Sequence, residues 1–515
     1  MVQDATNNNL RIAKNTIILY VRMIFMMVVN LYTSRVVLMV LGVSDYGIYN
    51  VVGGLVSMFS VLSSSLATAV SRFLTFELGK GDIEKLKRVF ATSVNVQILL
   101  AVSVSVIALI AGGWFLNFKM NIPAGRMGAA NWVLICSILS FAISILSVPY
   151  SASIISHEKM SAFAYISIIE AALKLAVAFA IIRVPYDSLK AYAVLLLVVA
   201  VLIRVIYGVY CKRQFKECTY HFSLDRSLLK EMTSFAGWSF LGNATWIFNN
   251  QGINILINIY FGVTLNAARG IASQVEGLAM NFVNNFMMAI NPQITKSYAA
   301  GELSQMHRLV CRGAKFSFFL VLFFAIPLCI ETRRILYLWL GQVPDYTVLF
   351  VRMTFLSTLC TVLGYTLVTA QLATGKIKKY QIIMSAVCVW VFPLTWIAFK
   401  CGCDAVWAYI IFFIVYFILI FVRVYLVKDL INMPWKSYIK DVLLICAVVS
   451  ILSSFFPFLL YFFMPDSLWR LLLITVVSFI STGMVIYWLG LSSVERGWLN
   501  RALVRYKDKI KYYGS

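Results

Sequence analysis

Charge is scarce in this chain, and acid is scarcest: 13% of the 515 residues are charged, with 21 Asp and Glu against 44 Lys and Arg. A soluble globular domain is about 25% charged and about 45–50% apolar. The low charge, the 61% hydrophobic content and the mean hydropathy of +0.86 exclude one here. Histidine is nearly missing, with His157, His221 and His307 the whole complement. All three fall on one side of the expected topology, and no loop on the other side much exceeds a dozen residues. That leaves little acid–base chemistry for a membrane-embedded polysaccharide polymerase or transferase, and no nucleophile–base constellation or phosphate-binding glycine loop is visible either. No catalytic residue is expected. The ten cysteines lack the spacing of a common zinc site. Cys211 and Cys218 stand seven apart, and Cys401 and Cys403 are placed for at most a strained disulfide. No metal or cofactor is expected. Nor is a cleavable signal: Arg11 and Lys14 precede a span too long for a signal core, with no small-residue cleavage site after it.

What the chain does have is long apolar runs of roughly 20 residues, the length of a membrane-crossing helix. They predict an all-α polytopic membrane protein, since helices satisfy their own backbone in lipid. About fourteen helices are expected, near 15–41, 46–78, 89–116, 128–155, 160–183, 190–210, 233–261, 265–298, 312–338, 347–374, 379–399, 405–428, 438–462 and 470–490. With the N-terminus inside, twenty-eight Lys and Arg fall in inner segments and eight in outer loops. The positive-inside bias then places both termini in the cytoplasm. The net charge of +23 is therefore mostly topological, and nucleic acid is not an expected partner.

The chain also repeats. A shift of 220 residues lays "GDIEKLKRV" (from Gly81) over "GELSQMHRL" (from Gly301) and aligns Gly42 with Gly262 and Asn30 with Asn250. The turn glycine, the long helix and the basic inner loop recur in phase six helices apart, so the halves are parallel. Transporters commonly place their substrate between such halves. The expected division is an N-lobe at 1–210, a polar linker at 211–227, a C-lobe at 228–430, an extra helix pair at 431–490 and a basic amphipathic tail at 491–515. Leu499, Leu503, Tyr506 and Ile510 form the tail's apolar stripe, suited to an anionic lipid surface.

The opening "RIAKNTIILYVRMIFMMVVNLYTSRVVLMVLGVSDYGIYNVVGG", followed by "AVSRFLTFELGKGD", resembles polysaccharide flippases of the Wzx type. The pattern Arg35, Leu41, Gly42, Tyr46, Gly47, Ile48, Tyr49 carries the resemblance. The superfamily also holds MATE drug exporters and the lipid II flippase. The resemblance implies two six-helix lobes forming a V-shaped cavity. It also implies a cargo of oligosaccharide on undecaprenyl pyrophosphate, moved to the outer leaflet of the bacterial cytoplasmic (inner) membrane for capsule, O-antigen or exopolysaccharide assembly. Polysaccharide polymerase machinery is an implied partner. Cationic cavity residues of this superfamily match Arg22, Arg35, Arg72 and Arg269 here. Coupling to sodium or protons is implied, although the first span holds no acid to serve as the MATE-type aspartate.

Residue chemistry gives its own argument. Eight basic residues lie inside spans: Arg22, Arg35, Arg72, Lys174, Arg204, Arg269, Arg352 and Arg423. Each costs about 2.5–3.5 kcal/mol at the bilayer centre. The only deep acids are Glu170, four residues from Lys174 and read as its ion-pair partner, and Glu276, seven from Arg269 on one helix face. The surplus arginines call for water or an anion, and a pyrophosphate suits their paired donors. Arg204 and Arg423 lie near inner span ends and Arg352 near an outer one, where snorkelling to the interface explains them. Asn30, Asn250, Asn254 and Glu276 are candidate sugar or ion contacts, with helix–helix hydrogen bonding as the competing role for the amides. A small-molecule MATE-type exporter is the alternative function. It predicts acids in the cavity, where this chain has arginines.

Overall fold

A computed structural model describes residues 2–500 apart from 58, 119–121, 123, 184–186, 220–224, 341–342 and 498–499. The expected tail stripe therefore lies outside the described residues, as do the side chains of Tyr46, Gly47, Asn258, Gly262 and Asn266. The described chain is helical, without a strand. Eleven helices in it are long and apolar enough to cross a membrane. The other three expected crossings fall in Val2–Ser57, Ser60–Lys80 and Arg226–Ala299, where serines, amides and charges dilute the apolar content.

Two expected turns look different in the structure. The run Val2–Ser57 is helical on both sides of Gly42, which takes φ 72°, ψ 171°. Only glycine enters that region without strain. Helix resumes after it, and Asp45, which reads as a loop residue, sits in its first turn and takes a forked pair of bonds from Arg126. The break before the next helix falls near Phe59. Arg226–Ala299 is helical over 74 residues. Yet Arg269 Nε donates to Asn254 Oδ1 at 2.5 Å, fifteen residues back. A straight helix would separate them by about 22 Å, so the chain reverses direction between them, where the sequence places a turn.

The chain forms two compact units. One comprises Lys14–Ala244 and Thr295–Glu302. At its centre, helix Met127–Ser156 packs against Ser60–Lys80, Ile83–Ile107 and Ser188–Gln214. Small polar residues allow close approach there: Thr75 Oγ1 and Ser156 Oγ meet at 2.8 Å, and Ser93 and Gln97 are fully buried. Arg126 also bonds Asp187 at 2.9 Å, the residue that caps helix Ser188–Gln214. Buried Glu158 accepts from Lys296 Nζ at 2.8 Å. Gly81 and Gly301, equivalent under the repeat, both adopt the left-handed conformation, with φ 77° and 78°.

The other unit comprises Met1–Ala13, Thr245–Ile294 and Leu303–Ser515. Leu303–Ile330 is its axis, 61% buried along its most apolar window where most spans are near a third. Thr347–Leu363, Ile445–Phe463 and Leu468–Val485 pack on it, so the extra helix pair belongs to this unit. Phe463 and Trp469 are 79% and 77% exposed, as lipid-facing residues are. Glu331 receives two bonds from Arg470, at 2.6 and 3.2 Å. Glu495, at the start of the tail, meets Arg312 at 2.8 Å and Lys315 at 3.6 Å. Burial raises the Glu495 carboxyl, but Lys315, the Ser492 amide and Arg312 outweigh it and hold the group below the ordinary 4.5. The chain passes from the first unit to the second between Ala244 and Thr245, inside helix Arg226–Ala299.

Candidate functional site

Each unit contains its own internal pocket. In the C-terminal unit, a cavity of about 470 Å³ brings Arg269 and Glu276 to one wall. Thr354, Ser357, Thr358 and Thr361 line a second wall. Their spacing of three, four and seven residues puts four hydroxyls on one face of Thr347–Leu363. Tyr409, Phe412 and Tyr416, from Val406–Lys428, form an aromatic side, and Trp246 and Asn250 complete the rim.

Arg269 is 7% exposed. Besides its bond to Asn254, its Nη2 donates to the Asn250 carbonyl at 3.3 Å, and its plane lies over Tyr409, 5.6 Å from the ring centroid. Nη1 forms no hydrogen bond among the described residues, leaving donors for a bound group. The direct Arg269–Glu276 pairing suggested by their shared face is not formed among the described residues. The amides of the returning helix take Arg269, and Thr358 Oγ1 donates to Glu276 Oε1 at 2.7 Å. Asn254 Nδ2 turns to Gln251 Oε1 at 3.3 Å.

In the N-terminal unit, a cavity of about 680 Å³ is lined by Glu170 and Lys174, whose charges meet at 2.6 Å. A ladder of Ser137, Ser140, Ser144, Ser147 and Ser151 on Met127–Ser156 faces it, with Tyr49, Phe163 and Tyr207. Arg22 stacks on Phe163 at 4.6 Å, its Nε buried and without a partner. The two pockets occupy repeat-equivalent places. Adding 220 to Tyr49, Gly53, Val56, Ser137, Phe141 and Leu196 gives Arg269, Ser273, Glu276, Ser357, Thr361 and Tyr416, all lining residues. The frame is shared, and the charges come from different helices in each.

The remaining candidates lie outside both pockets. Arg72 is 9% exposed under the rings of Phe73, Phe76 and Phe235, at 4.5, 4.6 and 5.7 Å. Arg35 is exposed and has no ion-pair partner among the described residues; Asn30 is also exposed. Arg352 caps helix Leu303–Ile330, donating to Cys329 O at 2.8 Å. The hydroxyl wall of Thr354, Ser357, Thr358 and Thr361 and the serine ladder escaped the sequence reading, although their helical spacing is legible in "TFLSTLCT" and "SILSFAISILS".

The Glu170–Lys174 pair is 33% and 46% exposed, so screening leaves it worth about 0.5 kcal/mol or less. Glu170→Gln should leave the thermal midpoint of the purified protein almost unchanged. A fall of several degrees would show that the pair bears structural load.

No protein-family profile and no curated protein matches the chain. Solved structures do. The outward-facing conformation of a multidrug resistance MATE family transporter of the MOP superfamily aligns with a TM-score of 0.71 at 13% identity, covering 82% of this chain and 95% of that one. The fold is that of the MATE transporters. A MOP superfamily transporter from Pyrococcus furiosus, for which reverse polarity of the binding pocket suggests a different function, aligns at 0.69 with 14% identity over 82% and 95%. A MATE structure in the bent conformation aligns at 0.70 with 14% identity over 83% and 97%. At such identity the MATE-type fold gives the chain's course through the membrane. The pocket residues must speak for the cargo.

Proposed function

We propose that this protein is a membrane transporter that moves a lipid-linked oligosaccharide, carried on undecaprenyl pyrophosphate, from the cytoplasmic to the outer leaflet by alternating access. One observation carries the reading. The C-terminal pocket presents a buried arginine with unused donors beside amides, a wall of hydroxyls and aromatic rings, while its only acid is engaged by Thr358. Guanidinium suits a diphosphate, and hydroxyl, amide and aromatic surfaces suit sugar rings. Arg22, stacked beside the N-terminal pocket, gives that unit a cation of its own. Arg35, Arg72 and Asn30 keep this role only as proposed contacts in another conformation. The bias of Lys and Arg supports both termini facing the cytoplasm, and a polysaccharide polymerase on the far side of a bacterial inner membrane would take up the product.

A cation-coupled small-molecule exporter is the second reading, and Glu276 favours it. A carboxylate among four hydroxyls supplies the oxygen set that a sodium ion or a proton requires. Under the first reading, the same residues hold the coupling ion. The two readings separate in cells lacking the gene when radiolabelled lipid-linked repeat units are traced. The flippase reading requires label to accumulate facing the cytosol. Unaltered label combined with lost efflux of a cationic dye would replace it with the exporter.

A further inference from the structure

Helix Thr347–Leu363 stops at Gly364 and restarts as Tyr365–Thr374, with no proline present. Helix Val406–Lys428 runs beside this break. There the Arg423 side chain presses on the Gly364 backbone so closely that a Cβ at 364 would lie 1.9 Å from Nη1 and 2.9 Å from Cδ and Cζ. Glycine leaves the room that the guanidinium takes up here. The sequence places Arg423 near a span end, where snorkelling accounts for it. The structure draws it inward against the helix break instead.

Its bonding there is incomplete. Arg423 Nε is buried and donates to nothing, and no carboxylate pairs with the guanidinium among the described residues. Tyr380, 3% exposed, has its hydroxyl within electrostatic reach of Arg423, and that hydroxyl also lacks a hydrogen bond of acceptable geometry. The carbonyls at the break each take another donor: Leu363 O takes the Tyr438 hydroxyl at 2.5 Å, and Thr361 O takes the Gly364 amide at 3.1 Å. A guanidinium can only donate. The species that would complete the cluster is therefore an acceptor, and a permanent, half-buried cation selects a negatively charged one.

We propose that Arg423 and Tyr380, at the Gly364 break, form a binding site for a small inorganic anion of halide or phosphate size. The site is distinct from the pocket that holds Arg269, since Arg423 does not line that pocket. Arg423 is only partly buried, so a solvated ion can reach it. Tyr365 and Tyr416 line the pocket and also lie within electrostatic reach of Arg423. Occupancy by an anion would thus lower the positive field felt at the pocket's deep side. The site stands independently of the cargo reading above.

The test uses the full-length protein in detergent. Thermal unfolding is followed in sodium chloride, bromide, phosphate and gluconate at equal ionic strength. Binding to the folded state alone raises the midpoint with the logarithm of ligand concentration. The midpoint should rise with the logarithm of concentration in at least one of the three small anions and stay flat in gluconate. A response to halides alone or to phosphate alone supports the site and identifies its ion. Arg423→Gln should abolish the increment, and Tyr380→Phe should weaken the apparent affinity several-fold. Identical curves in all four salts, or an undiminished increment in Arg423→Gln, overturns the site. If Arg423→Gln does not fold, Tyr380→Phe carries the comparison beside equilibrium dialysis of the unaltered protein with radiolabelled chloride and phosphate. Failure of both ions to approach about one per chain also overturns it.

Discussion

Arg269→Ala is expected to cut export of the lipid-linked glycan by at least tenfold while the protein still inserts in the membrane. A hydrogen bond from a charged donor is worth about 1.5–3 kcal/mol, or about 10–150-fold in an equilibrium. Arg269 offers such donors at a site 7% exposed, where water screens little. Its neighbours sharpen the test. Asn254 and Asn250 hold the guanidinium from the returning helix at 2.5 and 3.3 Å, so removing it also frees the amides that pin the fold-back. The alanine variant must therefore be compared with Arg269→Lys. Lysine keeps the charge but cannot span two amides and a ligand at once. Partial export in Lys with none in Ala locates the effect in the charge. Equal loss in both, with a lowered thermal midpoint, assigns Arg269 to holding the helix reversal. Normal export in both removes it from the cargo site.

Glu331→Ala is expected to be the most damaging single change to stability, by about 3 kcal/mol. Glu331 is 2% exposed and takes two hydrogen bonds from Arg470, itself 10% exposed. Removing one partner of a buried pair costs about 3–5 kcal/mol because the other charge is stranded. The lower end applies because Asp466, 65% exposed, still reaches Arg470 at 3.0 Å. Chemical denaturation in mixed micelles measures the loss. Glu331→Gln with Arg470→Gln should recover most of it, since no charge is then left unpaired. A Glu331→Ala loss below about 1 kcal/mol would mean that the pair is effectively solvated.

The site was legible in uneven measure. Arg269, Glu276, Asn250 and Asn254 stand out in sequence because charges and amides are conspicuous in an apolar helix, and all but Asn254 line one pocket. Their bonding was not legible. Arg269 and Glu276 share a helix face seven residues apart, which suggests a pair, but Glu276 meets Thr358, 82 residues away. Arg423 resembled Arg204, another basic residue near a span end. Arg204 in fact stacks on Tyr150 at 3.9 Å, whereas Arg423 fills the space that Gly364 leaves. No property of either residue's immediate neighbours distinguishes those outcomes.

Apolar length and the near absence of acids, by themselves, made this chain a helical membrane protein, and the recurring turn glycine made it a duplicated one. These quantities accumulate along the chain, each residue adding its own transfer cost, so they can be read without knowing which helix meets which. Packing alone decided that the chain turns back between Asn254 and Arg269. It also decided that a row of hydroxyls faces Glu276, and that an arginine reaches a helix break from another helix of its unit. Those outcomes depend on which faces come into contact, and contacts between residues many turns apart exist only once the tertiary structure has formed.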